Sequence, residues 1–187
     1  MIRYLTPLMN KIDDKIICDP KKVSRIYRDV RLIRDGMFFR KSLWCSLMRP
    51  KERFESKPEF FFWAGADNFG WGCGYYKITT EVMENIRELI IAKDKTAMEA
   101  IAAYEGQQSL VLGGELYKKD HFPQQPENLK SWLNRKNLHL THESDNSALY
   151  FSESLPERVC RDFEKIAPVY RLFIKAEEML LDAKDKK

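Results

Sequence analysis

The spacing of apolar positions divides the chain into an early part that reads as strands and a later part that reads mainly as helices. Leu5, Leu8, Met9 and Ile12 recur at three and four, which predicts a short amphipathic helix over residues 4–13. Asp19-Pro20 ends what precedes it, and a first strand is predicted over residues 23–33. Residues 42–49 read as a second strand closed by Pro50, and the charged stretch Lys51 to Pro58 reads as a connecting loop. Phe60 to Ala64 is apolar at every position, which predicts a strand covered on both faces. Gly65 to Gly70 has turn composition, so Trp71 to Ile78 should return antiparallel to it.

The period then changes. Thr79 or Thr80 is placed to cap a helix whose Val82, Met83, Ile86, Leu89 and Ile90 repeat at three and four. A second helix runs from Asp94 to Tyr104 and is closed by Gly106. Leu110 to Leu112 reads as a short strand ended by Gly113-Gly114, and Pro126 opens a helix with Leu129, Trp132 and Leu133 on one side. Residues 137–143 alternate again, with Leu138 and Leu140 opposite His139 and Thr141. A final helix over residues 156–183 carries Val159, Phe163, Ile166, Val169, Tyr170, Phe173 and Ile174 as its stripe, with a kink expected at Pro168. Strands first and helices later predict an α+β fold: a mainly antiparallel sheet early in the chain, packed against several helices including a long C-terminal one. No linker or repeat divides residues 1–187, which read as a single domain with a frayed tail at 184–187.

Composition narrows the class. Hydrophobic residues make up 44% of the 187, enough for a packed core, so disorder is not expected. The net charge of +4 arises from 32 basic against 28 acidic residues, a mixed surface that argues against a dedicated nucleic-acid binder. The four cysteines show no paired spacing, which points to reduced thiols and a cytoplasmic protein. No stretch approaches the ~18 apolar residues of a membrane span.

Within the first predicted strand, residues 24–35 pack four arginines and two aspartates into twelve positions. Strand alternation sets Ile26, Val30 and Leu32 on one face with Arg28 among them, and Arg25, Tyr27, Asp29 and Arg31 on the other. A charge inside an apolar stripe needs a counter-ion, because an unpaired buried charge costs several kcal/mol. Arg28 is therefore the sharpest candidate for holding a phosphate or carboxylate, with Arg31 and Tyr27 beside it. The competing reading is an internal ion pair, with Arg28 bound to Asp35, Glu59 or another carboxylate.

These residues resemble a family. Arg25-Ile26-Tyr27-Arg28-Asp29-Val30-Arg31-Leu32, then Arg34-Asp35 and Phe39-Arg40, is similar to the R-I-Y-R-D-x-R-F, K-D-K and Y-K or Y-R signature of a bacterial family known as domain of unknown function 2461. Trp44, the aromatic run Phe60 to Trp63, and Gly72-Cys73-Gly74-Tyr75-Tyr76 extend the likeness, as do Ile86-Arg87, Trp132 with Arg135-Lys136-Asn137, and the late Phe163, Pro168 and Tyr170. It covers most of the chain from residue 20 onward. On this resemblance Arg25, Arg28, Asp29, Arg31, Asp35 and Arg40 take the family's polar signature positions. Gly36 stands where the family commonly has lysine, Phe39 where it has tyrosine and Leu32 where it has phenylalanine. The chain also lacks an N-terminal element with adjacent asparagines and a Trp-Phe pair seen in relatives, so a shortened member or a late start is expected. The resemblance implies no activity.

Other chemistry is thinner. Gly70-Trp71-Gly72-Cys73-Gly74 lacks the lysine of a phosphate loop and reads as close backbone approach in a hairpin. Cys73 has no neighbouring base in sequence, and His121, His139 and His142 lack the spacing of a metal site. Asp13-Asp14 and Glu177-Glu178 read as exposed carboxylate pairs. No motif implies a metal or a cofactor. The leading expectation is a binding domain for a small anionic ligand. Arg28 and Arg31 clamp it, Asp29 and Asp35 orient the guanidinium groups, Trp71 or Tyr75 lines the pocket, and Arg25 and Arg40 join as candidates from the signature positions. Two rivals stand beside it. An enzyme using Asp29 or Asp35 as acid/base on a phosphorylated or nucleotide-like substrate would raise the pKa of that carboxyl. A structural or protein-interaction domain would pair every arginine outside any cleft. Catalytic residues and oligomeric state are left open by the sequence.

Overall fold

The computed structural model describes residues 1–29, 31, 33–51 and 56–185, the last four of these in their backbone only. Helix α1 (Ile2–Ile12) buries Ile2, Leu5, Leu8 and Met9, the face its spacing demands. Strands β1 (Ser42–Met48), β2 (Glu59–Gly65) and β3 (Phe69–Gly74) follow as an antiparallel meander, with Trp44 opposite Trp63 and Phe62 opposite Trp71. The Thr79 hydroxyl accepts from the Val82 N–H and caps α2 (Thr80–Ile91), while Asp94 caps α3 (Lys95–Glu105). Then come β4 (Val111–Gly113), α4 (Glu127–Leu133), β5 (His139–Ser144), the short α5 (Ser147–Tyr150) and the long α6 (Leu155–Asp185). The sheet order is β1-β2-β3-β5-β4, and every pair is antiparallel. The fold is α+β, as the order of strand and helix patterns requires.

One face of the sheet carries the core. Phe60, Trp71, Cys73 and Leu140 point inward against Val159, Phe163, Ile166, Tyr170 and Phe173 of α6. The Phe60 ring lies 4.9 Å from Phe163 and 5.0 Å from Tyr170. Helix α6 also packs on α1, α2 and α3, so it is the axis about which the layers assemble. Alternation in β3 sends Gly70 and Gly72 to the opposite face. A Cβ on Gly70 would lie 2.7 Å from the Trp63 indole nitrogen, and one on Gly72 equally close to Phe61. The glycines therefore admit close approach of the β2 aromatics, as their hairpin context predicted.

Two expectations fail. Residues 60–64 are not covered on both faces: Phe60 is fully buried, but Phe61 and Trp63 are only partly so. Among the described residues of 23–33 the predicted strand does not form either. Only isolated bridges join Val23 to Cys45 and Tyr27 to Phe39. The chain instead folds back on itself, the Arg28 N–H bonding Phe38 and the Arg40 N–H bonding Ile26. The aspartates are the cause. Asp29 accepts from the N–H of Arg31 and Asp35 from that of Met37, and such side-chain turns compete with a ladder. Gly36, at φ +71°, adds a reversal that a strand does not contain. Val30 and Leu32, which carried the predicted apolar stripe, lie outside the described residues.

Candidate functional site

The returning segment leaves a groove of about 820 Å³ against the far face of β1. Cys45 and Leu47 turn into the core, so Trp44, Ser46 and Met48 face the other way and form the groove's wall. The rim is cationic: among the described residues, Lys22, Arg25, Arg28, Arg40, Arg49 and Lys51 line it against one acid, Asp29. The Ser24 hydroxyl accepts from the Trp44 N–H at 2.9 Å and ties the segment to the strand edge. The Arg40 guanidinium stands 4.7 Å from the centroid of the Trp44 ring, a cation–π contact that holds both side chains at the groove.

The charges differ in how they are engaged. Arg28 Nη1 donates to both Asp35 oxygens at 2.7 and 2.8 Å and to the Met37 carbonyl at 3.1 Å. It is not buried in an apolar stripe: its side chain is 32% exposed, and the neighbouring Ile26 and Tyr27 are 49% and 65% exposed. Arg31 binds Asp29 through Nε at 2.9 Å and Nη2 at 2.5 Å, but its side chain is 83% exposed and does not line the groove. Arg49 donates to Asp13 at 2.6 Å and to Glu178 at 3.4 Å. Among the described residues, Lys22, Arg25 and Arg40 have no carboxylate partner. Asp35 lies in an adjoining recess of about 310 Å³ that it shares with Arg28, Phe39 and Arg40.

The carboxyls here are good anions and poor acids. The hydrogen bond from the Arg31 side chain, helped by its N–H, holds the Asp29 pKa down to about 2. Arg28 likewise holds Asp35 below the usual carboxylate range, with the Met37 N–H adding to it. Burial opposes the charge on Asp13, yet the bonds from Arg49, Tyr170 and the Lys15 N–H outweigh it and leave its pKa lowered. None of these carboxyls has the raised pKa that an acid/base role at neutral pH calls for.

Two predicted wall residues belong elsewhere. Trp71 is fully buried on the inner sheet face and donates from Nε1 to Asp162 at 3.0 Å. Tyr75 is buried under α6, where its hydroxyl meets Glu177 at 3.2 Å and burial pushes its pKa up. Strand parity is the reason, since Phe69, Trp71 and Cys73 take the side that α6 covers. The residue that does face the groove is Trp44, which stands at an outward position of β1. Lys22 and Lys51 were missed because they come from loop segments without periodicity, and Arg49 because it stood at the end of the predicted second strand. Cys73 is buried with its thiol pushed well above its ordinary range by burial, which leaves it inert. Among the described residues, no group of three or more His, Cys, Asp or Glu side chains is placed to hold a metal ion, and no helix is long and apolar enough to cross a membrane.

Fold and groove together define an α+β protein with an antiparallel sheet, helices on one face and a cationic cleft at the sheet's edge. Residues 1–172 match the family described as conserved hypothetical protein (DUF2461), and the chain belongs to that family. The match includes α1 and so begins earlier than the residue 20 from which the likeness was read. A search of curated proteins finds no match.

Proposed function

We propose that this protein binds a small ligand bearing a phosphate or carboxylate, in the groove between the arginine segment and the outward face of β1. The observation that carries the reading is the imbalance of the lining: among the described residues, six cations face a single acid, and that acid is already held by Arg31. Lys22, Arg25 and Arg40 supply charge that no described carboxylate neutralises, and guanidinium groups match the planar oxygens of either anion. Arg28 contributes from its remaining donors, since Asp35 occupies only Nη1. Trp44 offers a flat apolar wall for the rest of the ligand. A catalytic reading has less support, because Asp29 and Asp35 are held in the ionised form.

The test is thermal shift of the wild type and of Arg25→Ala/Arg40→Ala against phosphate, pyrophosphate, nucleotides, sugar phosphates and small carboxylates. A ligand at a hundred times its dissociation constant should add about 2.7 kcal/mol, a rise of roughly 5–10 °C for a chain of this size. The expected result is a rise in the wild type that disappears in the double variant while its own melting point hardly moves. Should no anion raise the wild-type transition, or should both proteins respond alike, the groove is not an anion site.

A further inference from the structure

A second feature lies at the first turns of α6. Val159, Phe163 and Ile166 form its buried stripe, and Asp162 stands among them at 4% exposure. Its Oδ2 accepts from Trp71 Nε1 at 3.0 Å and from Ser109 Oγ at 2.6 Å. Ser109 is itself held in place: Gln107 Oε1 accepts from the N–H groups of Ser109 and Leu110 at 2.8 and 2.7 Å. His142 completes the cluster. Its ring stacks on Trp71 at 4.2 Å, and its Nδ1 donates to the Ser109 carbonyl at 2.7 Å. Because a carbonyl only accepts, Nδ1 carries the proton and cannot take one from the Ser109 hydroxyl, which already donates to Asp162. Serine, histidine and aspartate therefore meet here without forming a nucleophilic triad.

What remains is a carboxylate fixed by one oxygen. Both described bonds go to Oδ2, and no buried polar side-chain atom among the described residues lacks a partner, so Oδ1 opens to the surroundings. It opens on a cleft of about 510 Å³ between the Gln108-Ser109 turn and α6. Arg158 and Lys165 stand at i−4 and i+3 from Asp162, so they flank it on the same helix face, and both are exposed. Neither has a carboxylate partner among the described residues, whereas Arg161 is held by Glu157 at 2.8 Å. Both donors to Asp162 are neutral, and a buried carboxylate is costly without a cation on it. The cleft thus joins an acceptor that lacks a bound cation to two cations that lack a bound anion.

We propose that this cleft is a second ligand site, built for a small zwitterion such as a free amino acid. The ligand's ammonium sits on Asp162 Oδ1 and its carboxylate on Arg158 and Lys165. The volume suits a molecule of that size. Nothing in this assignment depends on the anion groove beside β1.

The experiment follows the Trp71 indole N–H in a ¹H–¹⁵N spectrum, assigned with Trp71→Phe, as free L-amino acids are added one at a time. Each is paired with its N-acetyl and carboxamide forms. The expected result is a saturable shift of that resonance for one or more free amino acids, with binding about tenfold weaker when either end is blocked. Arg158→Ala, an exposed change that leaves the fold alone, should weaken it by a similar factor, while Arg25→Ala/Arg40→Ala should leave it unchanged. The proposal is overturned if no free amino acid moves the resonance, if a blocked form binds as well as its parent, or if Arg158→Ala binds like wild type.

Discussion

The guanidinium of Arg28 stands at an open groove with a third of its side chain in water, whereas the carboxylate of Asp162 lies on the buried face of α6 with almost none. Arg28 finds its counter-ion seven residues away in its own loop; Asp162 receives its donors from residues 53 and 91 positions distant. The first pair is a local device that rides on the surface of the fold. The second bonds three parts of the chain together, since Trp71 comes from β3, Ser109 from the turn before β4 and Asp162 from α6. Charge content alone would rank the arginine segment far above the single aspartate. Burial and partner distance reverse that order, because a hydrogen bond to a buried charge is worth more than a screened surface pair.

The largest break of this comparison is Asp162→Ala. It leaves the fully buried Trp71 indole N–H and the part-buried Ser109 hydroxyl without their acceptor. Two bonds to a charged group and their stranded donors predict a loss of about 3 kcal/mol. Urea unfolding with an unchanged slope would report it, and Asp162→Asn, which keeps an acceptor, should lose clearly less. If the alanine variant unfolds at the wild-type midpoint, Asp162 does not organise this region.

The difference also explains what was legible in the sequence. Helix boundaries were, because Thr79 and Asp94 both cap where their side chains permit and the α6 stripe repeats without interruption. The sheet meander was legible from the glycine turn between β2 and β3. The arginine segment was not, because its apolar alternation is contradicted by two aspartates that bond their own backbone, a local competition that periodicity ignores. Nor does a strand pattern say which face becomes the site, and so Trp71 and Tyr75 were placed in the pocket while Trp44 was passed over. Asp162 left the very signal that drew attention to Arg28, a charge at i+3 from Val159 and i−4 from Ile166 within an apolar stripe. In a helix that signal is dependable, since the stripe is contiguous and one face must be buried. In a short irregular segment it is not, since nothing obliges either face to be covered.

A smaller effect belongs to Arg28→Ala. Its ion pair with Asp35 is solvent-facing, and exposed pairs contribute little, so the melting temperature should fall by less than about 3 °C. Raising the salt concentration should erase most of that difference, as it would for any screened pair. A fall several times larger would mean that the segment anchors the fold, and the groove would then be better read as structural.

The smallest effect is the most local. Asp29 has its pKa drawn down to about 2 by Arg31, against roughly 3.9 for an unperturbed aspartate. A depressed carboxyl stabilises the folded chain fully above its unfolded pKa and loses that contribution as the pH falls toward the folded value. The window therefore runs from about pH 4 down to about pH 2, and the pair contributes its full share at neutral pH. Carboxyl ¹³C titration should place the Asp29 midpoint near 2 in the wild type and return it toward the ordinary value in Arg31→Ala. A wild-type midpoint at the ordinary value would show that the Asp29–Arg31 pair does not persist in solution. Asp29 would then count as a free acid facing the groove, and the cationic excess that recommends an anion there would shrink by one charge.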